Sequence, residues 1–200
     1  MVVVLHKIKI ILKVIPFIPL ILVLGLIRPF KIIRFGSIPA SRIGHFAFDI
    51  EYYLCERATL VGRSHGLDLF FLDGESANSQ LEMMIRKLVV IHPLVRYLFL
   101  ANRMLPRSNH CEVLPAWVRN GSRDKIGLFQ KCPRQLRFSK EDDDHAWLLL
   151  SDLGIQPTDR FICRMVRDSA YLESTFPRKN WHYHQYRDCD IQTYSDAVEK

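Results

Sequence analysis

Phe161-Ile162-Cys163-Arg164-Met165-Val166-Arg167-Asp168-Ser169-Ala170-Tyr171-Leu172 carries a short apolar run into a polar turn. Phe161, Ile162 and Val166 suit a buried strand, and a guanidinium just beyond such a strand can meet an anionic ligand through a bidentate, charge-assisted contact. The stretch predicts a strand over 160–166 with a phosphate-binding end. Upstream, Ser139-Lys140-Glu141-Asp142 reads as a helix start, because a serine N-cap followed by acidic residues complements both the free amides and the helix dipole. That helix is expected to run to Leu153 and stop at Gly154, with Ile155-Gln156-Pro157-Thr158-Asp159 linking it to the strand. Helix, short Gly/Pro loop, buried strand and polar loop is the cadence of an α/β domain.

Toward the N-terminus, Phe35-Gly36-Ser37-Ile38-Pro39-Ala40-Ser41 is rich in turn formers. A helix is predicted from Ile43 or Gly44 to Arg57, with Phe46, Ile50, Tyr53 and Leu54 on one face. Leu67 to Leu72, broken only by Asp68, reads as a strand closed by Asp73-Gly74. Ser76 to Ile91 repeats Leu81, Met84, Ile85, Leu88 and Val89 at helical spacing, and Pro93 limits it. Leu94 to Leu105 suggests a second short helix. Near the C-terminus, Asp190 is placed to cap a last helix with Ile191, Tyr194 and Val198 on one face. No closing signal follows at Lys200, so the chain is expected to end inside this element.

The 200 residues are 48% apolar and 24% charged, a composition that belongs to a globular chain rather than a disordered one. The net charge of +7 favours anionic partners. From Ile8 to Ile33 the chain is apolar except for Lys9, Lys13, Arg28 and Lys31. Its uninterrupted apolar run, Val14 to Ile27, is shorter than the roughly 20 residues that cross a bilayer. A tilted span, with Lys13 snorkelling, and a shallow re-entrant anchor are both compatible with it. No small-residue cleavage site follows, so the segment is expected to be retained. Arg28, Lys31 and Arg34 on its downstream side predict that the remainder lies on the cytoplasmic face, with membrane lipid as a partner.

The five cysteines are odd in number and include no Cys-x-x-Cys pair, which argues against a disulfide framework and a structural zinc site. Cys55 and Cys163 read as buried small hydrophobes. His182-Tyr183-His184 offers two alternating histidines without a third ligand, and Glu141 to Asp144 reads as a solvated helix start, so no metal is expected. Neither a Gly-x-Gly-x-x-Gly fingerprint nor a Walker loop nor a nucleophile elbow occurs. Basic residues are scattered, and a nucleic-acid partner is disfavoured. In Arg42-Ile43-Gly44-His45 a glycine at a helix entry lets a ligand approach the backbone, with Arg42 and His45 available to orient hydroxyls or an anion. Arg164, Arg167, Asp168, Ser169 and Tyr171 form the better candidate cluster, in which two guanidiniums and a hydroxyl are suited to neutralising a diphosphate leaving group without a metal.

Arg34-Phe35-Gly36, Pro39 to Ala47, Tyr53-Leu54-Cys55-Glu56, Val166 to Leu172 and Tyr186 to Ile191 with Tyr194, taken in order, resemble a bacterial family of glycosyltransferases found with surface-polysaccharide biosynthesis genes. More distantly, Val166-Arg167 looks like the His-Val-Arg strand end of fucosyltransferase-type enzymes with two Rossmann-like domains. In those enzymes the arginine meets the diphosphate of a nucleotide sugar; here Met165 takes the place of that histidine. The resemblance implies an α/β chain, the N-terminal Rossmann-like half of a two-domain (GT-B-like) transferase preceded by a hydrophobic membrane helix. It divides the chain into an anchor at 1–34, an α/β domain at 35–155 and the beginning of a donor-binding domain at 156–200. It further implies a nucleotide-sugar donor, a glycan or lipid-linked acceptor and no separate cofactor. Arg167, with Arg164, Ser169 and Tyr171, would hold the donor diphosphate, and Arg42, Gly44 and His45 would line the acceptor cleft. The competing expectation is a membrane-associated accessory protein that retains half of a transferase fold.

Overall fold

The computed structural model describes residues 9–59, 66–106, 111–161, 163 and 166–194. The chain forms two compact units, Met1–Asp143 and Asp144–Lys200.

The first unit is built on a Rossmann-like parallel sheet of β1 (Ile33–Ile38), β2 (Leu67–Leu72), β3 (Val90–Ile91) and β4 (Glu112–Val113), in the order β3-β2-β1-β4. Parallel neighbours need crossovers, and helices supply them. The helices are α1 (Lys9–Ile27), α2 (Ile43–Thr59), α3 (Ser79–Leu88), α4 (Val95–Arg103), α5 (Ala116–Asn120), α6 (Leu128–Lys131) and α7 (Lys140–Asp152). Strand alternation sorts the core into two layers. On one face Ile38 and Phe70 meet Phe46, Ile50 and Tyr53 of α2 and Ile85 of α3. On the other, Phe35 and Phe71 meet Val95 and Phe99 of α4, with Val14 and Ile21 of α1.

The segment from Phe35 to Ile38, expected as turn, is instead the end of β1. Gly36 is what misleads. A Cβ there would lie 2.6 Å from the Phe70 ring and 3.1 Å from Val113 Cβ, so the glycine is demanded by close packing between strands rather than by a turn. The single helix expected over 76–91 stops at Leu88; Asn78 caps it by accepting from Leu81 N–H, and Val90–Ile91 pairs with β2. β-branched residues just before Pro93 leave the helix for an extended conformation that a neighbouring strand can pair.

Between Ser139 and Gly154 the expected helix is present, and Gly154 ends it with φ +82°. Ser139 N–H and its hydroxyl donate to Asp142 Oδ2 at 2.9 and 2.8 Å, and Gln80 Nε2 donates to Oδ1 at 2.9 Å. These bonds, the Ser139 amide first, hold the Asp142 carboxyl well below the usual carboxylate range. Because the folded value is depressed, the stabilisation is complete above the unfolded carboxylate's range, about pH 4, and is lost as pH falls through the folded value. Acid titration followed by far-UV dichroism should show Asp142→Asn unfolding with a shallower acid limb than the wild type.

In the second unit the described residues include no strand. They form the greater part of α7, which runs into this unit from Asp144, followed by α8 (Ala170–Thr175) and two 3-10 segments, His182–Arg187 and Ile191–Tyr194. The strand expected over 160–166 is absent at Arg160, Phe161, Cys163 and Val166, with Phe161 49% exposed. An apolar run becomes a strand only where a neighbour pairs its backbone, and none of the described residues of this unit does so. Cys163, expected to be buried, is exposed. Asp190 does cap, accepting from Gln192 N–H at 2.9 Å, but it opens a 3-10 turn, and residues 195–200 of the expected helix lie outside those described.

Candidate functional site

Neighbours of β1 are β2 on one side and β4 on the other, and the chain reaches β4 only after crossing the sheet through α4. The connection from β1 runs toward β2, whereas the one from β3 returns across the sheet to β4, so the strand order reverses between β1 and β4, the place at whose carboxyl ends open α/β sheets bind ligands in a crevice. A cavity of about 20 Å³ lies there, between Ser37, Ile38 and Pro39 at the end of β1, Leu114 and Pro115 after β4, and Asp49 of α2. The two β-to-helix turns beside it are stitched together: Asp73 N–H donates to Ile38 O at 2.8 Å and Ala77 N–H to Ala40 O at 2.9 Å. Gly74, at φ +99°, packs directly on Ser41.

Arg42, Gly44 and His45 lie at the start of α2, just after the carboxyl end of β1, and none of them lines the cavity. A Cβ at Gly44 would meet nothing, so the backbone is approachable. His45 and Asp49 stand one helical turn apart and share a face. Gly121 ends α5 in the left-handed region at φ +68°, and Ser122 follows at φ +54°, an uncommon conformation for a residue with a side chain. That reversal returns the Ser122 hydroxyl to α2. Its Oγ donates to Asp49 Oδ1 at 2.9 Å and lies 2.9 Å from His45 Nδ1. Since the hydroxyl proton is committed to Asp49, Nδ1 must be the donor to Oγ, and Nε2 carries the lone pair.

Asp49 is 3% exposed. Burial pushes its carboxyl above the ordinary range, against the opposing pull of the Ser122 bond and of Trp117 N–H, which donates to Oδ2 at 3.4 Å. Trp117 also places its indole beside the His45 ring, with centroids 6.5 Å apart. A clamp farther along α2 holds α5 in place: Arg119 donates to both oxygens of Glu56 at 2.8 and 2.7 Å. The result is a buried acid, a hydroxyl and an imidazole in series, with Asp49 at the cavity. Such an arrangement can accept a proton from a hydroxyl held beside Nε2.

Toward the opposite end of β1, Arg34 meets Asp68 through two bonds of 2.6 and 2.7 Å, and Tyr53 donates to the same carboxylate. Burial, reinforced by Asp68, pushes the Tyr53 phenol above its ordinary value. Cys55 is likewise pushed up to about 12, by burial first and then by its bond with Cys132 and the charge of Glu51. Glu51 accepts from Gln135 and Leu136 N–H at 2.7 and 2.8 Å, tying the segment after α6 to α2. The motif residues Arg34, Gly36, Tyr53, Cys55 and Glu56 therefore build the fold, with Tyr53 also lining the cavity, whereas Arg42 to His45 lie at the start of α2 and do not line it.

In the second unit Arg167 and Asp188 approach to 3.6 Å, and Cys189 N–H donates to Arg167 O at 2.9 Å. Two of the motif segments are thus brought together. Asp168 accepts from Ala170 N–H at 3.1 Å, turning the chain into α8, which begins after Ser169 and contains the exposed Tyr171. Arg164 lies outside the described residues. Among the described residues no group of three or more His, Cys, Asp or Glu gathers as a metal site. Sequence reasoning singled out Arg42, Gly44 and His45 but missed Asp49 and Ser122; the one available sign was the four-residue spacing from His45 to Asp49.

The fold and the crevice define a chain of the open α/β class with a Rossmann-like sheet. No protein-family model, curated protein or solved structure matches it.

Proposed function

We propose that the chain acts in sugar transfer from a nucleotide-sugar donor to a surface-polysaccharide or lipid-linked acceptor, attached through α1 to the cytoplasmic face of the membrane. One observation carries this reading: Asp49, which lines the cavity at the carboxyl end of the sheet, is joined through the Ser122 hydroxyl to His45, so that an acid, a hydroxyl and an imidazole stand in series. The sequence resemblance to polysaccharide-associated transferases supports the same chemistry. His45 Nε2 takes the proton of the acceptor hydroxyl as its oxygen bonds to the anomeric carbon. The bond from that carbon to the diphosphate breaks, and its electron pair leaves with the nucleoside diphosphate. Arg167, with Arg164, Ser169 and Tyr171, is assigned to the donor diphosphate, where cationic and hydroxyl groups meet the departing charge.

Calorimetric titration with a panel of nucleotide sugars tests the donor assignment. Arg167→Ala is expected to weaken binding roughly tenfold or more, as removal of a charged partner does. Unchanged affinity removes Arg167 from the site.

A second reading, a non-catalytic accessory protein with a transferase-like fold, is favoured by the Asp188 carboxylate already facing the Arg167 guanidinium. On that reading no nucleotide sugar binds.

A further inference from the structure

α1 is apolar on every side, and its two sides have different fates. Ile10, Val14, Phe17, Ile18, Ile21 and Leu24 form a stripe at helical spacing that packs on the sheet and α4. Val14 and Ile21 are 2% and 6% exposed, and the Phe17 ring stacks on Tyr97 with centroids 5.6 Å apart. The opposite stripe, including Leu12, Ile15, Leu22, Val23 and Leu26, is bare; Leu26 is 78% exposed, and Phe30 in the following turn 92%. A contiguous apolar surface of this kind marks an interface. Exposed Lys9 and Lys13 stand at one end of the stripe and exposed Lys31 at the other.

We infer that α1 binds the membrane in plane: its outer stripe enters the headgroup and acyl boundary of an anionic bilayer while its inner stripe stays docked on the sheet. The inference rests on the membrane attachment proposed above and specifies its geometry. By length and composition the helix is sufficient to cross a membrane. Crossing, however, would surround it with lipid and pull Val14, Phe17 and Ile21 from the sheet, uncovering Phe35, Phe71 and Phe99, side chains now no more than 7% exposed. Lying flat asks for no such rearrangement, and an in-plane helix needs only its outer face buried by about 5–10 Å. Charge selects the bilayer over a second copy of the chain. Two such helices packed antiparallel would set Lys9 and Lys13 against the partner's basic end, which is repulsive, whereas anionic headgroups match both ends.

Flotation of the full chain, carrying a different epitope tag at each terminus, with sealed vesicles of phosphatidylglycerol and phosphatidylethanolamine tests the inference. The wild type is expected to float, and protease added outside should remove both tags. Leu22→Glu with Leu26→Glu is expected to lower the bound fraction roughly tenfold or more, with an unchanged dichroism spectrum because both side chains point away from the sheet. An N-terminal tag protected inside the vesicles would mean that α1 spans, overturning the in-plane geometry while leaving attachment intact. A wild type that stays in solution would overturn attachment itself, and a two-chain mass by light scattering would then identify a second copy as the cover.

Discussion

Arg34→Ala is expected to destabilise the first unit by about 2–3 kcal/mol, less than the loss of one partner of a fully buried ion pair because the Arg34 side chain is 39% exposed while that of Asp68 is fully enclosed. Asp68 has a side chain fully removed from solvent, and it gives one oxygen to Arg34 alone and the other to Arg34 and Tyr53. Without the guanidinium a carboxylate remains in the core with a single phenol as partner, and the desolvation that the pair had offset stands uncompensated. Arg34→Lys should recover little, because an ammonium cannot reproduce the two parallel bonds. Replacing both members, Arg34→Met with Asp68→Leu, should restore most of the loss, since a packed apolar pair carries no buried charge. Urea unfolding of the three variants reads this directly. Arg34→Ala within 1 kcal/mol of the wild type would show that the pair contributes little to stability.

The elements legible in the sequence are those whose apolar period and caps agree. α2, β2, α4 and α7 fall close to where Phe46 to Leu54, Leu67 to Leu72, Leu94 to Leu105 and Ser139 to Gly154 place them. β1 is hidden by Gly36 and Ser37 within it and Pro39 just beyond it, which are turn residues in isolation; Gly36 belongs to the strand because Phe70 leaves no room for a side chain there. β3 is two residues long and continues the apolar run of α3, so its pairing to β2 has no local signature. At 160–166 the opposite error arose: composition favoured a strand, but a strand exists only through a neighbour.

His45 was visible because it follows a glycine at a helix entry. Asp49 is absent from the apolar face that defines α2 in the sequence, and Ser122 lies in the stretch from Glu112 to Phe138, where the sequence signals are mixed. Their partnership joins positions 73 residues apart, and the His45 contact spans 77. Separations of that size are set by tertiary packing, and the left-handed turn at Gly121 and Ser122 that closes the series is visible only in the fold.

For catalysis the largest expected effect is at His45. If Nε2 accepts the acceptor proton, His45→Ala should lower kcat by roughly 10²–10⁴-fold, the usual contribution of a positioned general base. The donor KM should change little, because the donor diphosphate is assigned to residues in the other unit. Ser122→Ala should fall between, since the imidazole stays but nothing holds Nδ1 as the donor. Asp49→Asn should act through Ser122 in the same sense, altering the pH profile of kcat more than KM.

The most direct measurement is sugar transfer itself. The full chain is incubated with vesicles carrying extracted membrane lipids and a panel of radiolabelled nucleotide sugars, with wild type and His45→Ala side by side. The expected result is label moved from one donor class to lipid or glycan by the wild type and reduced at least a hundredfold in the variant. Transfer at equal rates by both proteins, or no transfer from any donor by a wild type that is folded and vesicle-bound, would contradict the assignment of this crevice to sugar transfer.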